Sequence, residues 1–156
     1  MPPMNGLFQA CCDFLQFAAD ACGCTYEEMS VFVNLHLQGG ILWLLGVAAA
    51  VAGWRLFRRA EGRSAVLARV GLLDGAVSTI LFAWLLLHYR GGAAAAFDRC
   101  VDDLLRLASA LGVTYRELNI LIFVLGFLCV LVLQIALLAA LRRRGSVPPA
   151  RTEESP

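Results

Sequence analysis

Part of this chain is written twice. Residues 8–55, moved along by 89 positions, fall without a gap on residues 97–144. Phe8, Cys11, Asp13, Leu15, Ala19, Gly23, Thr25, Tyr26 and Glu28 land on Phe97, Cys100, Asp102, Leu104, Ala108, Gly112, Thr114, Tyr115 and Glu117. Farther on, Leu42, Leu44, Ala50 and Arg55 meet Leu131, Leu133, Ala139 and Arg144. A match of this length implies one structural unit used twice. Any fold for the chain must accommodate both copies.

Hydropathy says where that unit lives. Of 156 residues 60% are hydrophobic and 16% charged, with a mean hydropathy of +0.72. A soluble domain of this size has too little interior to hide so much apolar surface, whereas a bilayer can solvate it. Three stretches approach the roughly 20 apolar residues that cross a membrane: 29–57, 70–88 and 118–141. The formal net charge of +1 leaves no basic face for nucleic acid.

Arginine placement predicts the orientation. Arg55, Arg58, Arg59, Arg63 and Arg69 surround the connection between the first two spans, against the single acid Glu61. Arg142, Arg143, Arg144 and Arg151 follow the third span, while Asp13, Asp20, Glu27 and Glu28 precede the first without a basic residue among them. The N-terminus is therefore expected outside and the C-terminus in the cytoplasm, in a cell (inner) membrane. With Arg55 the first basic residue, no cleavable signal peptide is expected, and the first span would act as an uncleaved anchor.

Each copy opens with an amphipathic pattern. Gln9, Asp13, Gln16 and Asp20 share one helical face, with Phe8, Cys11, Cys12, Leu15, Ala18, Ala19 and Cys22 opposite. In the second copy Asp98, Arg99, Asp102, Asp103 and Arg106 form the polar face, and Asp102 and Arg106 are spaced to pair. Gly23 and Gly112 suit a helix end that needs positive φ. Thr25 with Glu28, and Thr114 with Glu117, then have the spacing of a capping box, in which hydroxyl and carboxylate satisfy two free amides reciprocally. That explains the repeated Gly-x-Thr-Tyr-x-Glu better than catalysis does.

The expected fold is all-α integral membrane: three transmembrane helices and two extracytoplasmic amphipathic helices. These form two parallel repeats joined by an inverting transmembrane helix. The first repeat covers 8–59 (surface helix 7–22, span 29–57), the linker span 70–88, and the second repeat 97–144 (surface helix 95–111, span 118–141). Residues 145–156, rich in Pro and Glu, are expected to be a disordered cytoplasmic tail.

Polar residues inside the spans mark where a function would sit. Ser30, Asn34 and Gln38 form a stripe on the first span, whose counterparts are Asn119, Phe123 and Phe127. It would serve either interhelical hydrogen bonding or a pore. Asp74 is the one acid inside a span; it would either pair near the inner headgroups, close to Arg69, or hold an ion or proton if packed against another helix. His36 stands alone, and His88 falls at the outer interface. Cys11 and Cys100 occupy equivalent positions and are a candidate disulfide. Cys12, Cys22 and Cys24 lack the CxxC spacing of a zinc site, so no metal or cofactor is expected. No nucleotide loop, catalytic triad or hydrolase elbow occurs, and the chain is not expected to be an enzyme. Two functions fit: a homo-oligomeric channel or transport protein, or a membrane scaffold or accessory subunit. The scaffold would use its surface helices and arginine-rich loop to hold another membrane protein or anionic lipid.

Overall fold

A computed structural model describes residues 4–58 and 62–145, and among them every regular element is helical. The order is α1 (Met4–Cys22), α2 (Tyr26–Val31), a π-helical segment (Phe32–Leu37), α3 (Gln38–Phe57), α4 (Arg63–His88), α5 (Ala93–Leu111), α6 (Tyr115–Ile120), a second π-helical segment (Leu121–Gly126) and α7 (Phe127–Gly145). Three continuous helical stretches are long and apolar enough to cross a membrane: Tyr26–Phe57, Ser64–His88 and Tyr115–Gly145. The chain is thus a multipass membrane protein in design. The tail expected over 145–156 lies, beyond Gly145, outside the described residues.

Helix boundaries follow local chemistry. Gly23 and Gly112 both take φ of 69°, ending α1 and α5 in the left-handed conformation that glycine adopts cheaply. At the next start, Thr25 accepts from the Glu28 amide at 3.2 Å while the Glu28 carboxylate accepts from the Thr25 amide at 2.9 Å. Thr114 and Glu117 do the same at 3.3 and 2.9 Å. Helix α4 starts at Arg63, well before the apolar stretch at 70. Hydropathy marks where lipid begins, whereas Ala65, Leu67, Ala68 and Arg69 are good helix formers that carry the helix beyond it.

Between spans there is no hydrophobic force in lipid, so close contact depends on small residues. The seam between α3 and α4 is built that way. A methyl group at Gly75 would lie 2.4 Å from Ala50 Cβ and 2.7 Å from Gly46 O, and one at Gly53 would lie 2.6 Å from Ala68 O. Helix α7 closes the bundle, with Leu141 buried among Ala49, Leu56 and Ala68. Helices α1 and α5 pack on the starts of the long helices: Leu15 and Ala19 of α1 on Met29, and Leu104 and Ala108 of α5 on Leu118.

Neither π segment is visible in hydropathy. A π turn admits an extra residue and disturbs the regular carbonyl ladder, and such turns often mark functional places. Adding 89 to the limits of α1, α2 and the first π segment gives those of α5, α6 and the second.

Candidate functional site

The stripe on the first span faces the rest of the same molecule. Asn34 Nδ2 donates to Ser30 Oγ at 3.3 Å, and Ser30 is buried. Gln38 Nε2 reaches across to the carbonyl oxygen of Phe123 at 3.1 Å, inside the second π segment. Ser30 and Asn34 line a cavity of about 20 Å³ together with Cys100, Tyr115, Asn119 and Phe123. That volume is about what one water molecule requires. His36 Nδ1 lies 3.3 Å from the Val31 carbonyl oxygen of its own helix.

The ends of α2 and α6 meet the opposite surface helices. Phe8 packs edge-on against Tyr115, with centroids 6.2 Å apart and planes at 79°. Tyr26 packs on Phe97 in the same manner, at 5.9 Å and 82°. Exchanging each residue for its counterpart 89 positions away turns one pair into the other. The Tyr26 hydroxyl also lies 3.6 Å from Cys12 Sγ.

Asp74 has its partner on another span rather than among the arginines. Gln134 Nε2 of α7 donates toward Asp74 Oδ1 and Oδ2 at 3.4 and 3.3 Å, and toward Ser78 Oγ at 3.1 Å. Gln134 is only 3% exposed, and its Oε1 is buried without a hydrogen-bond partner. At 1.5 Å per residue helix α4 rises about 6 Å from the start of its apolar stretch at residue 70 to Asp74 and about 21 Å from Asp74 to His88, so the group lies inside the apolar span, nearer its arginine-bearing end. Beside it, a methyl at Gly46 would lie 2.5 Å from Ser78 Oγ, so α3 presses directly on the cluster.

Hydropathy does not single out Gln134, but its setting in the sequence does. It is the one Asn, Gln or charged residue between Ile120 and Leu141, and its counterpart in the first copy is Leu45.

A second polar group ties α4 to α5. His88 Nε2 lies 2.9 Å from Asp103 Oδ2, and the Tyr89 hydroxyl donates to the same oxygen at 3.2 Å. Trp84 stacks on His88 at 4.8 Å. Arg99 donates to the carbonyl oxygens of His88, at 3.2 Å, and of Arg90, so it caps the end of α4. The hydrogen bond from His88 chiefly holds the Asp103 carboxyl below its ordinary range, with Tyr89 and the charges of His88 and Arg106 adding to it. Burial and the Asp103 charge push the Tyr89 hydroxyl up. Among the described residues the expected Asp102–Arg106 pair does not form a salt bridge; Asp103 is held instead by His88 of α4 and by Tyr89.

Cys11 and Cys100, the candidate disulfide, are free thiols, as are Cys12, Cys22, Cys24 and Cys129. Burial and the Asp103 charge push the Cys100 thiol up to about 11, and burial with Cys12 raises Cys11. Both are therefore protonated and weakly nucleophilic at neutral pH. Among the described residues no three His, Cys, Asp or Glu side chains converge to hold a metal. Comparison with protein-family models, curated proteins and solved structures finds no match for this chain.

Proposed function

We propose that the chain is a small, non-enzymatic transport protein that carries a cation across an inner or plasma membrane as a homo-oligomer. The observation that carries this reading is the Asp74–Ser78–Gln134 cluster. An acid packed against another helix inside an apolar span is costly, and such residues generally serve ion or proton pathways. Its partner is an amide rather than a cation, so the cluster retains a charge when Asp74 is ionised. Interhelical adhesion alone would not require a carboxylate there.

The architecture proposed around it is two parallel copies of surface helix plus spanning helix, related by a pseudo-two-fold axis along the membrane normal. The crossed contacts Phe8–Tyr115 and Tyr26–Phe97 support this, because a two-fold axis makes contacts reciprocal. The matching element limits support it too. Helix α4 returns the chain so that the second copy can insert in the same sense, and the arginine pattern supports an exterior N-terminus. The stripe Ser30, Asn34 and Gln38 belongs in this reading to the interface between the copies, where Gln38 satisfies a π-segment carbonyl. Three spans enclose little space, which is the reason for proposing several copies.

The scaffold reading also has an observation behind it. Phe14 and Phe17 of α1 are 63% and 71% exposed and sit off the face that packs on Met29, as a partner protein or lipid contact would. Ion flux into vesicles containing the purified chain separates the two. Transport predicts flux above that of empty vesicles, lost in Asp74→Asn and retained in the surface variant Asp13→Asn. Absence of flux under imposed proton, sodium and potassium gradients would favour the scaffold.

A further inference from the structure

The orphan oxygen of Gln134 says which cation the cluster is built for. A carboxylate only accepts hydrogen bonds, a hydroxyl both donates and accepts, and a primary amide donates at one end and accepts at the other. In the observed arrangement Gln134 turns its donor end toward Asp74 and Ser78, which suits an ionised carboxylate. The same orientation leaves Oε1 buried and unpaired, in a side chain with almost no contact with solvent.

Protonation of Asp74 reverses the requirement. The carboxyl then carries an O–H, and Ser78 carries another. A half-turn of the Gln134 amide about its terminal torsion, which is broad and roughly two-fold, brings Oε1 inward to accept from both. The two orientations occupy the same space, since amide oxygen and nitrogen differ little in size.

We propose that Asp74, Ser78 and Gln134 form a proton-binding site in which the Asp74 carboxylate takes up one proton and the Gln134 amide turns over to accept from the new O–H. The inference rests on the transport reading above and names its ion. One bond is made, between the proton and a carboxylate oxygen, and the negative charge of the cluster is discharged.

Geometry favours a proton over a metal cation. The three oxygen atoms surround one amide nitrogen at 3.1 to 3.4 Å, so a cation would have to displace that nitrogen to reach them. Glycines bring the neighbouring helix into contact: a methyl at Gly46 would lie 2.6 Å from Ser78 Cβ. A proton needs one lone pair and no added volume. The described titratable side chains on the packed helices are Arg55 of α3, Arg69 and His88 of α4, and Cys129, Arg142, Arg143 and Arg144 of α7. Among the described residues none forms an ion pair with Asp74.

The test is infrared difference spectroscopy of the full chain in lipid nanodiscs, titrated from about pH 9 to about pH 2 to span the range of carboxyl groups. The chain has twelve carboxyl side chains, so the signal sought is the protonated-carboxyl band left after subtracting the Asp74→Asn titration from that of the wild type; it should be present, and survive in Asp74→Glu as a check that the bundle still folds. In Gln134→Leu its midpoint should move by about one pH unit or more, since the amide distinguishes the two protonation states. The amide band of Gln134 should change along the same titration. A wild-type spectrum identical to that of Asp74→Asn at every pH would overturn the proposal. So would a midpoint that moves with sodium concentration at constant ionic strength, because a metal cation would then compete for the site. Titration of Asp74 without any flux in vesicles would support the site and remove the transport reading. Proton flux with no titration of Asp74 would overturn the site and retain transport.

Discussion

Replacing Gly75 by Ala should separate helices α3 and α4 at the point where they meet most closely. The added carbon would lie 2.4 Å from Ala50 Cβ and 2.7 Å from Gly46 O. Ordinary carbon–carbon contact is about 3.5–4.0 Å, so the helices must part by about 1 Å. Both obstacles are short or backbone, so neither can swing aside. A radial gap of about 0.5–1 Å forfeits a quarter to a half of each contact's attraction, and in lipid those contacts are the main cohesion. Forced overpacking of this kind costs about 1–3 kcal/mol. Gly40→Ala is the matched control, because a methyl there meets nothing within 4 Å. Both substitutions gain the same intrinsic helix preference of Ala over Gly, about 1 kcal/mol, so their difference isolates the clash. Reversible unfolding in mixed detergents, followed by far-ultraviolet circular dichroism, should place Gly75→Ala about 1–3 kcal/mol below Gly40→Ala. Equal stability would refute the close seam.

Further outcomes follow from single contacts. Thr25→Ala removes the hydroxyl that accepts from the Glu28 amide and should cost about 1 kcal/mol in the same assay. The Asp103 carboxyl is held below its ordinary 3.8, so its contribution to stability is present above that value and is lost as pH falls through the lowered one. The stability difference between the wild type and Asp103→Asn should therefore be lost as pH falls through the lowered carboxyl value; a difference that persists undiminished in strong acid would contradict the lowering. At neutral pH a thiol reagent should label exposed Cys22 before Cys100, whose thiol is pushed up to about 11 by burial.

The sequence made the spanning helices and their starts legible because both rest on local chemistry. Apolar length marks a span, and Thr25 with Glu28 or Thr114 with Glu117 marks where a helix begins. The early start of α4 was hidden because helix propensity and lipid solubility are different properties, and Ala65 to Arg69 has the first without the second. The π segments were hidden because a widened turn leaves apolar composition unchanged. Asp74 stood out as an acid in a span, but its partner is set by packing: Gln134 lies 60 positions away and meets it only once α4 and α7 are docked. Comparing the two copies would have exposed it, since Leu45 stands opposite Gln134. The same comparison drew attention to Asn34 and Gln38, which turn to the interior of the bundle.

In the proposed mechanism Asp74 carries the transported proton. The most direct measurement is the change in internal pH of vesicles holding equal amounts of wild-type or Asp74→Asn protein, after an external acid step with the membrane potential clamped. Rapid internal acidification is expected with the wild type, and the rate of empty vesicles with Asp74→Asn. Equal rates for the two proteins, both above empty vesicles, would contradict it.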